Sequence, residues 1–144
     1  MPKSTSTCNN VLALIFNATT WNLIAENDTT SPATNLYLSL HTADPGVGND
    51  QQTNETAYTN YVRIAVARTT GGWDAPSAGA TANAALAQFA QCGASGATLT
   101  HVAIGTAASG AGTVLYAGAL SSSLAVANGI QPQFAAGALD VTET

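Results

Sequence analysis

NLYLSLHTADPGVGND, residues 35–50, decides how this chain folds. Leu36, Leu38 and Leu40 alternate with Tyr37, Ser39 and His41, the period-two pattern of a strand with one apolar face. The pattern stops at Asp44-Pro45-Gly46. Asp accepts backbone N–H bonds, Pro sets φ and Gly permits a positive φ, so the run closes in a turn. A His and an Asp at a strand end also admit catalysis or metal binding. His41 lies opposite the three leucines, and a hydrogen bond within its own loop is the commoner use of such a residue.

Outward from this strand, most of the chain reads as β. Toward the N-terminus, Val11, Leu12, Leu14, Ile15 and Phe16 form a helical face that Asn9 or Asn10 can cap. Trp21, Leu23 and Ile24 extend the apolar content, and AENDTTSPAT (25–34) breaks it with turn formers. Toward the C-terminus, YVRIAVAR (61–68) sets Val62, Ile64 and Val66 against Arg63, Ala65 and Ala67. GGW (71–73) is a turn, and TANAALAQFAQC (81–92) is ambiguous between helix and strand. TLTHVAIGT (98–106) and TVLYAGAL (113–120) are strands joined by the Gly-rich AASGAG. Asn128-Gly129 predicts a further hairpin, and ALDVTE (138–143) a last strand. Short strands with turn signals and one clear helix predict a mainly β chain, an antiparallel β-sandwich or jelly roll with a short N-terminal helix. The expected division is an N-terminal arm and helix over 1–34 and the β-sandwich over 35–144. The polar start MPKSTSTC (1–8) has no periodicity; it is expected to be disordered alone, either as an arm onto a neighbour or as a frayed end.

Only 8% of the residues are Asp, Glu, Lys or Arg, against roughly 25% in an ordinary soluble domain. Thr, Ser, Asn and Gln carry the polarity instead. Such a surface suits coverage by partners; an extracellular domain that tolerates neutral polar residues is the alternative. The net charge is −5, and the basic residues are Lys3, Arg63 and Arg68. Three scattered cations are too few to neutralise nucleic-acid phosphates or hold an anionic membrane. No apolar stretch reaches the roughly 18 residues that span a bilayer. VLALIF (11–16) is too short for a signal-peptide core and lacks a cleavage site. The sequons at Asn17, Asn27 and Asn54 are short enough to arise by chance in a Thr- and Asn-rich chain.

The chemistry-bearing residues are sparse. His41, Asp44 and His101 lack the spacing of a metal site, and Cys8 and Cys92 are expected as buried free thiols. No serine sits in Gly-x-Ser-x-Gly, and GTAASGAG (105–112) has no following Lys for a phosphate loop. The eight acids form no glycosidase motif. The expectation is no enzyme, no catalytic or metal residues and no cofactor. Tyr58, Tyr61 and Trp73 are the aromatics that could present a glycan platform; the alternative for them is packing.

LYLSLHTADPG (36–46), NETAYTNYVRIAVA (54–67), THVAIGTAASGAGTVLYAGAL (100–120) and FAAGALDVTE (134–143) together resemble a family of small tailed-bacteriophage virion proteins. Members of that family are often labelled tail fibre proteins. The same blocks resemble the jelly-roll cement, or decoration, proteins of icosahedral phage heads. The resemblance covers Asn35 to the C-terminus and implies a structural virion protein without catalytic residues. It points to a homotrimer on the outer capsid surface, clamping the major capsid protein. The alternative it leaves is a tail or tail-fibre component that binds a tail partner or a host glycan.

Overall fold

The computed structural model describes residues 3–21, 24–25, 32–46 and 50–144. Leu23, the Asn27 sequon and residues 26–31 of the expected break lie outside them. In chain order the elements are α1 (Thr5–Phe16), β1 (Asn35–His41), β2 (Ile64–Ala67), β3 (Ala80–Ala82), β4 (Ala87–Gln88), β5 (Ala97–Gly105), β6 (Val114–Val126), β7 (Gln133–Phe134) and β8 (Asp140–Thr142). The chain is mainly β, with antiparallel pairing and one short N-terminal helix, as the sequence predicts and as a β-sandwich requires. It divides into two units: Met1–Asn35, Val66–Ala87 and Phe134–Thr144 in one, Leu36–Ala65 and Gln88–Gln133 in the other.

In the first unit, α1 packs against β3, which pairs antiparallel with β8 through Thr81↔Val141. The helix starts earlier than the Asn9 or Asn10 cap expected from sequence. Ser4 is the cap, its Oγ accepting from Thr7 N at 3.1 Å. A serine cap satisfies an orphan N–H as well as asparagine does, so Thr5, Ser6 and Thr7 enter the helix. Ala18, at φ 51°, ends the helix, and Thr19 N returns to Ala13 O. Arg68 donates to the carbonyls of Leu14 and Ile15, both at 2.6 Å, placing a cation at the negative end of the helix. Cys8, Leu12 and Phe16 are the buried helix stripe, and Phe16 meets Trp73 edge-on at 4.6 Å.

The second unit is built on a sheet with strand order β2-β1-β5-β6. Leu38 faces Ile104, Leu40 faces Val102 and His41 faces His101 across β1 and β5. Leu36, Leu38 and Leu40 are buried as their alternation predicts, but Ser39 and His41 are buried too. β1 is therefore covered on both faces over its second half. The AASGAG loop joins β5 to β6 as expected. The segment read as ambiguous supplies β3 and β4, and β6 continues without interruption through the serines.

Two local expectations change. Val62 is exposed and Arg63 buried, the reverse of an apolar face running through YVRIAVAR, because Arg63 has partners inside. Asn128-Gly129 is a turn but not a hairpin. Ile130 N bonds Ala127 O at 2.9 Å, with positive φ at Gly129 (87°) and not at Asn128. That is type II geometry, whereas the type I′ and II′ turns of a two-residue hairpin need positive φ at the first central residue, here Asn128. β6 accordingly pairs with β5, and β7 with β4.

Candidate functional site

β1 and the segment 50–63 that follows the turn enclose a polar network. His41 Nδ1 lies 2.9 Å from the carbonyl of Thr53, which can only accept, so Nδ1 carries the proton. Nε2, at 2.9 Å, then accepts from Ser39 Oγ. Burial lowers the His41 pKa; the Thr53 bond and Glu55 oppose that, and Arg63 and His101 reinforce it. Both ring nitrogens are engaged, and burial favours the neutral imidazole.

Beside it, Arg63 donates through Nε and Nη2 to the two oxygens of Glu55, both at 2.7 Å. Tyr61 donates to Glu55 Oε1 at 2.7 Å and accepts from Leu40 N at 3.1 Å. Burial pushes the Tyr61 phenol above its ordinary value, and the bonds to Glu55 raise Arg63. Arg63 also reaches the β5–β6 loop, donating to Ala107 O at 2.9 Å and Gly110 O at 2.8 Å. Gln51 completes the support. Its Oε1 accepts from Ala107 N at 3.0 Å, while Nε2 donates to Tyr37 O at 3.2 Å. A Cβ at Gly105 or Gly112 would overlap Gln51, so glycine is what lets this side chain lie against the loop.

Ser39 beside His41 has the atoms of a nucleophile–base pair, but both residues are 0% exposed. The third partner is a backbone carbonyl, which fixes the tautomer yet offers no charge to an imidazolium. The pair ties β1 to the loop after it. Asp44 does not join the histidines. Its Oδ1 accepts from Gly46 N at 2.8 Å, its carbonyl accepts from Asn54 Nδ2 at 2.8 Å, and Gly46 has φ 76°. His101 bonds Thr100 Oγ1 at 2.9 Å. Cys8 and Cys92 are buried free thiols, each in a different unit.

The three aromatics considered for a glycan platform fall in different units. Tyr58 and Tyr61 pack edge-on at 5.3 Å, and Tyr61 stacks on Phe89 at 6.2 Å, all in the second unit. Trp73 is buried against Phe16 in the first. Packing is their role.

What the molecule exposes is β6, the end strand of its sheet. Ala117, Gly118 and Ala119 are all exposed, as are Ser121 through Ala125, so neither face of the strand is covered there. No side chain on β6 is charged, and none is proline. Among the described residues, Asp50 bridges to Thr113 at its start, and its outer edge is otherwise unpaired by any strand. The loop tip Ala108 to Ala111, held from below by Arg63, is exposed as well.

Sequence reasoning missed the Glu55–Tyr61–Arg63 cluster. The available signal was scarcity: in a chain with three cations, an arginine inside a strand pattern, eight residues after a glutamate, calls for a buried pair.

A family model described as Podophage GP4 fiber I protein gp80 matches residues 3–142. The chain belongs to that family and is a phage virion protein. No curated protein matches it.

Proposed function

We propose, with membership of this phage fibre family as the premise, that the chain is a non-catalytic structural subunit of the virion fibre. It acts by protein–protein contact. The observation that carries this reading is the match over residues 3–142 to a family whose description names a fibre protein. The distribution of chemistry supports it. His41 and Arg63 are turned inward to fix loops, while small neutral residues of β6 and of the β5–β6 loop face outward.

A second reading is the cement protein expected from the sequence resemblance, a subunit bound to the major capsid protein on the head. Low charge and close-packing Ala, Gly and Ser on an exposed strand favour it, since both suit coverage by neighbours. Quantitative protein counting in purified virions, with antibody labelling in the electron microscope, separates the two. A few copies and label at fibres are expected. Copies on the scale of the capsid subunits, with label over the head, would replace the fibre reading by the cement reading. Absence from the particle would overturn both.

A further inference from the structure

We propose that Asn128-Gly129 is a latent site of self-deamidation, kept unreactive in the folded chain by the segment Gln91-Cys92. The chemistry needs no enzyme. The backbone nitrogen of the residue after an asparagine attacks the side-chain amide carbon. A C–N bond forms, the attacking nitrogen gives up its proton, and the side-chain nitrogen leaves as ammonia. Water then opens the cyclic imide, returning either aspartate or its β-linked isomer, isoaspartate. A side chain on the following residue obstructs the attack, so glycine leaves it most open. Of the chain's asparagines, Asn128 alone precedes glycine, and it is exposed. The side on which a Cβ at Gly129 would stand is open, with nothing within 4 Å.

The turn sets the reacting atoms apart. Asn128 and Gly129 are the central residues of the type II turn closed by Ile130 N on Ala127 O at 2.9 Å, with Gly129 at φ 87°. The first central residue of such a turn has ψ of about +120°. Imide closure requires the Asn128 Cβ and the Gly129 N to eclipse one another about the Cα–C bond. For an L residue, with Cβ offset from its own N by roughly 120° about that bond, the eclipsed arrangement lies at ψ of about −120°. The turn therefore holds the bond roughly 120° of rotation from reaction.

Hydrogen bonds keep it there. Gly129 N, the nitrogen that would attack, donates to Cys92 O at 2.9 Å, and Gln91 Nε2 donates to Gly129 O at 2.8 Å. Cys92 N donates to Ile130 O at 2.8 Å. All these residues lie in the second unit. Turning the Asn128–Gly129 peptide into the reactive geometry swings Gly129 N off Cys92 O, while the other bonds fix the carbonyls that follow. Reaction waits for the turn to open, so its rate is the intrinsic rate multiplied by the open fraction. Either product adds one negative charge to a chain sparse in charge, and isoaspartate lengthens the main chain by a methylene inside the turn. A chain that has opened here is marked irreversibly, whereas one kept folded in a particle is preserved. The inference holds for fibre or head alike.

The test is the mass of the peptide carrying residue 128, with isoaspartate counted by enzymatic methylation, during incubation at mildly alkaline pH. The full chain in guanidinium supplies the intrinsic rate. The native chain is expected to react at least about tenfold more slowly, because only the opened fraction reacts. Gln91→Ala, at an exposed residue, is expected to raise the native rate several-fold and leave the rate in guanidinium unchanged. Asp44→Ala, which weakens a different turn of the same unit, is expected to leave the native rate low. Asn128→Ser removes the side-chain amide and is expected to abolish the product. Equal rates in native and unfolded chains would overturn the proposal. So would a native rate that Gln91→Ala leaves unchanged, or that Asp44→Ala raises as much.

Discussion

Arg63→Met is the sharpest test of the buried network. Arg63 keeps only 2% of its side chain exposed and Glu55 15%. Substitution removes both bonds to Glu55 and those to Ala107 O and Gly110 O. Removing one partner of a buried pair costs about 3–5 kcal/mol, because the other charge stays behind without compensation. The partial exposure of Glu55 puts the expected loss at the low end, about 3 kcal/mol, which lowers Tm by roughly 10 °C in a chain of this size. Adding Glu55→Gln removes the stranded charge and is expected to restore about 1–2 kcal/mol. The remainder reflects the two loop carbonyls, each worth about 1 kcal/mol net. Urea unfolding followed by tryptophan fluorescence supplies the numbers, provided the m-value stays constant. A single-variant loss below about 1 kcal/mol, or a double variant no more stable than the single, would refute the reasoning.

Asp44→Ala is expected to cost about 0.5–2 kcal/mol, by analogy with lost caps, since the carboxylate holds Gly46 N; unchanged melting with impaired partner binding would show that Asp44 acts at the surface instead. His41 has a folded pKa below its ordinary 6.5, chiefly through burial. The unfolded chain therefore takes up that proton first, and this contribution, complete above about pH 6.5, is lost as pH falls through the folded pKa. Urea midpoints between about pH 7 and pH 5 should decline for wild type and less steeply for His41→Gln; parallel slopes would exclude His41 as the source. Gly105→Ala, which drives a Cβ into Gln51, is expected to lose about 1–3 kcal/mol. Gly118→Ala, with nothing within 4 Å of its Cβ, should stay within about 0.5 kcal/mol in thermal melts. Equal effects at the two glycines would contradict the Gln51 geometry.

The fold class was legible because period-two alternation is local. Leu36, Leu38 and Leu40 declare a buried strand whatever covers them, and Asp44-Pro45-Gly46 carries its turn chemistry within three residues. Features set by distant partners were not legible. Arg63 is buried because Glu55 and the carbonyls of Ala107 and Gly110 meet it, a coincidence that no window of YVRIAVAR contains. The helix start shifted because several polar residues before Val11 can cap, and Ser4 also links its hydroxyl to Thr7. Trp73 and Tyr61 looked alike as loop aromatics, yet one packs with α1 and the other closes a carboxylate pair. Of the outward-facing candidates, the exposed run Ser121 to Ala125 was visible in the sequence only as a hydroxyl-rich segment. Its place at a sheet edge is a property of topology.

The placement of the cations connects the interior to the surface. Lys3 pairs with Glu143, Arg68 holds the carbonyls of Leu14, Ile15 and Ala33, and Arg63 holds Glu55 and the β5–β6 loop. Every basic side chain is thus engaged in tying segments of its own chain together. A Gly-, Ala- and Ser-rich loop has no large side chains with which to pack itself, and such a loop would ordinarily sample many conformations. Arg63 and Gln51 remove that freedom from beneath, leaving Ala108 to Ala111 outside as a low-profile surface. Ordering of this kind occurs during folding, so a partner of the kind proposed, docking there, would cost less entropy. An uncharged surface gives up long-range steering in exchange, a tolerable loss when neighbouring subunits are already concentrated in an assembling particle.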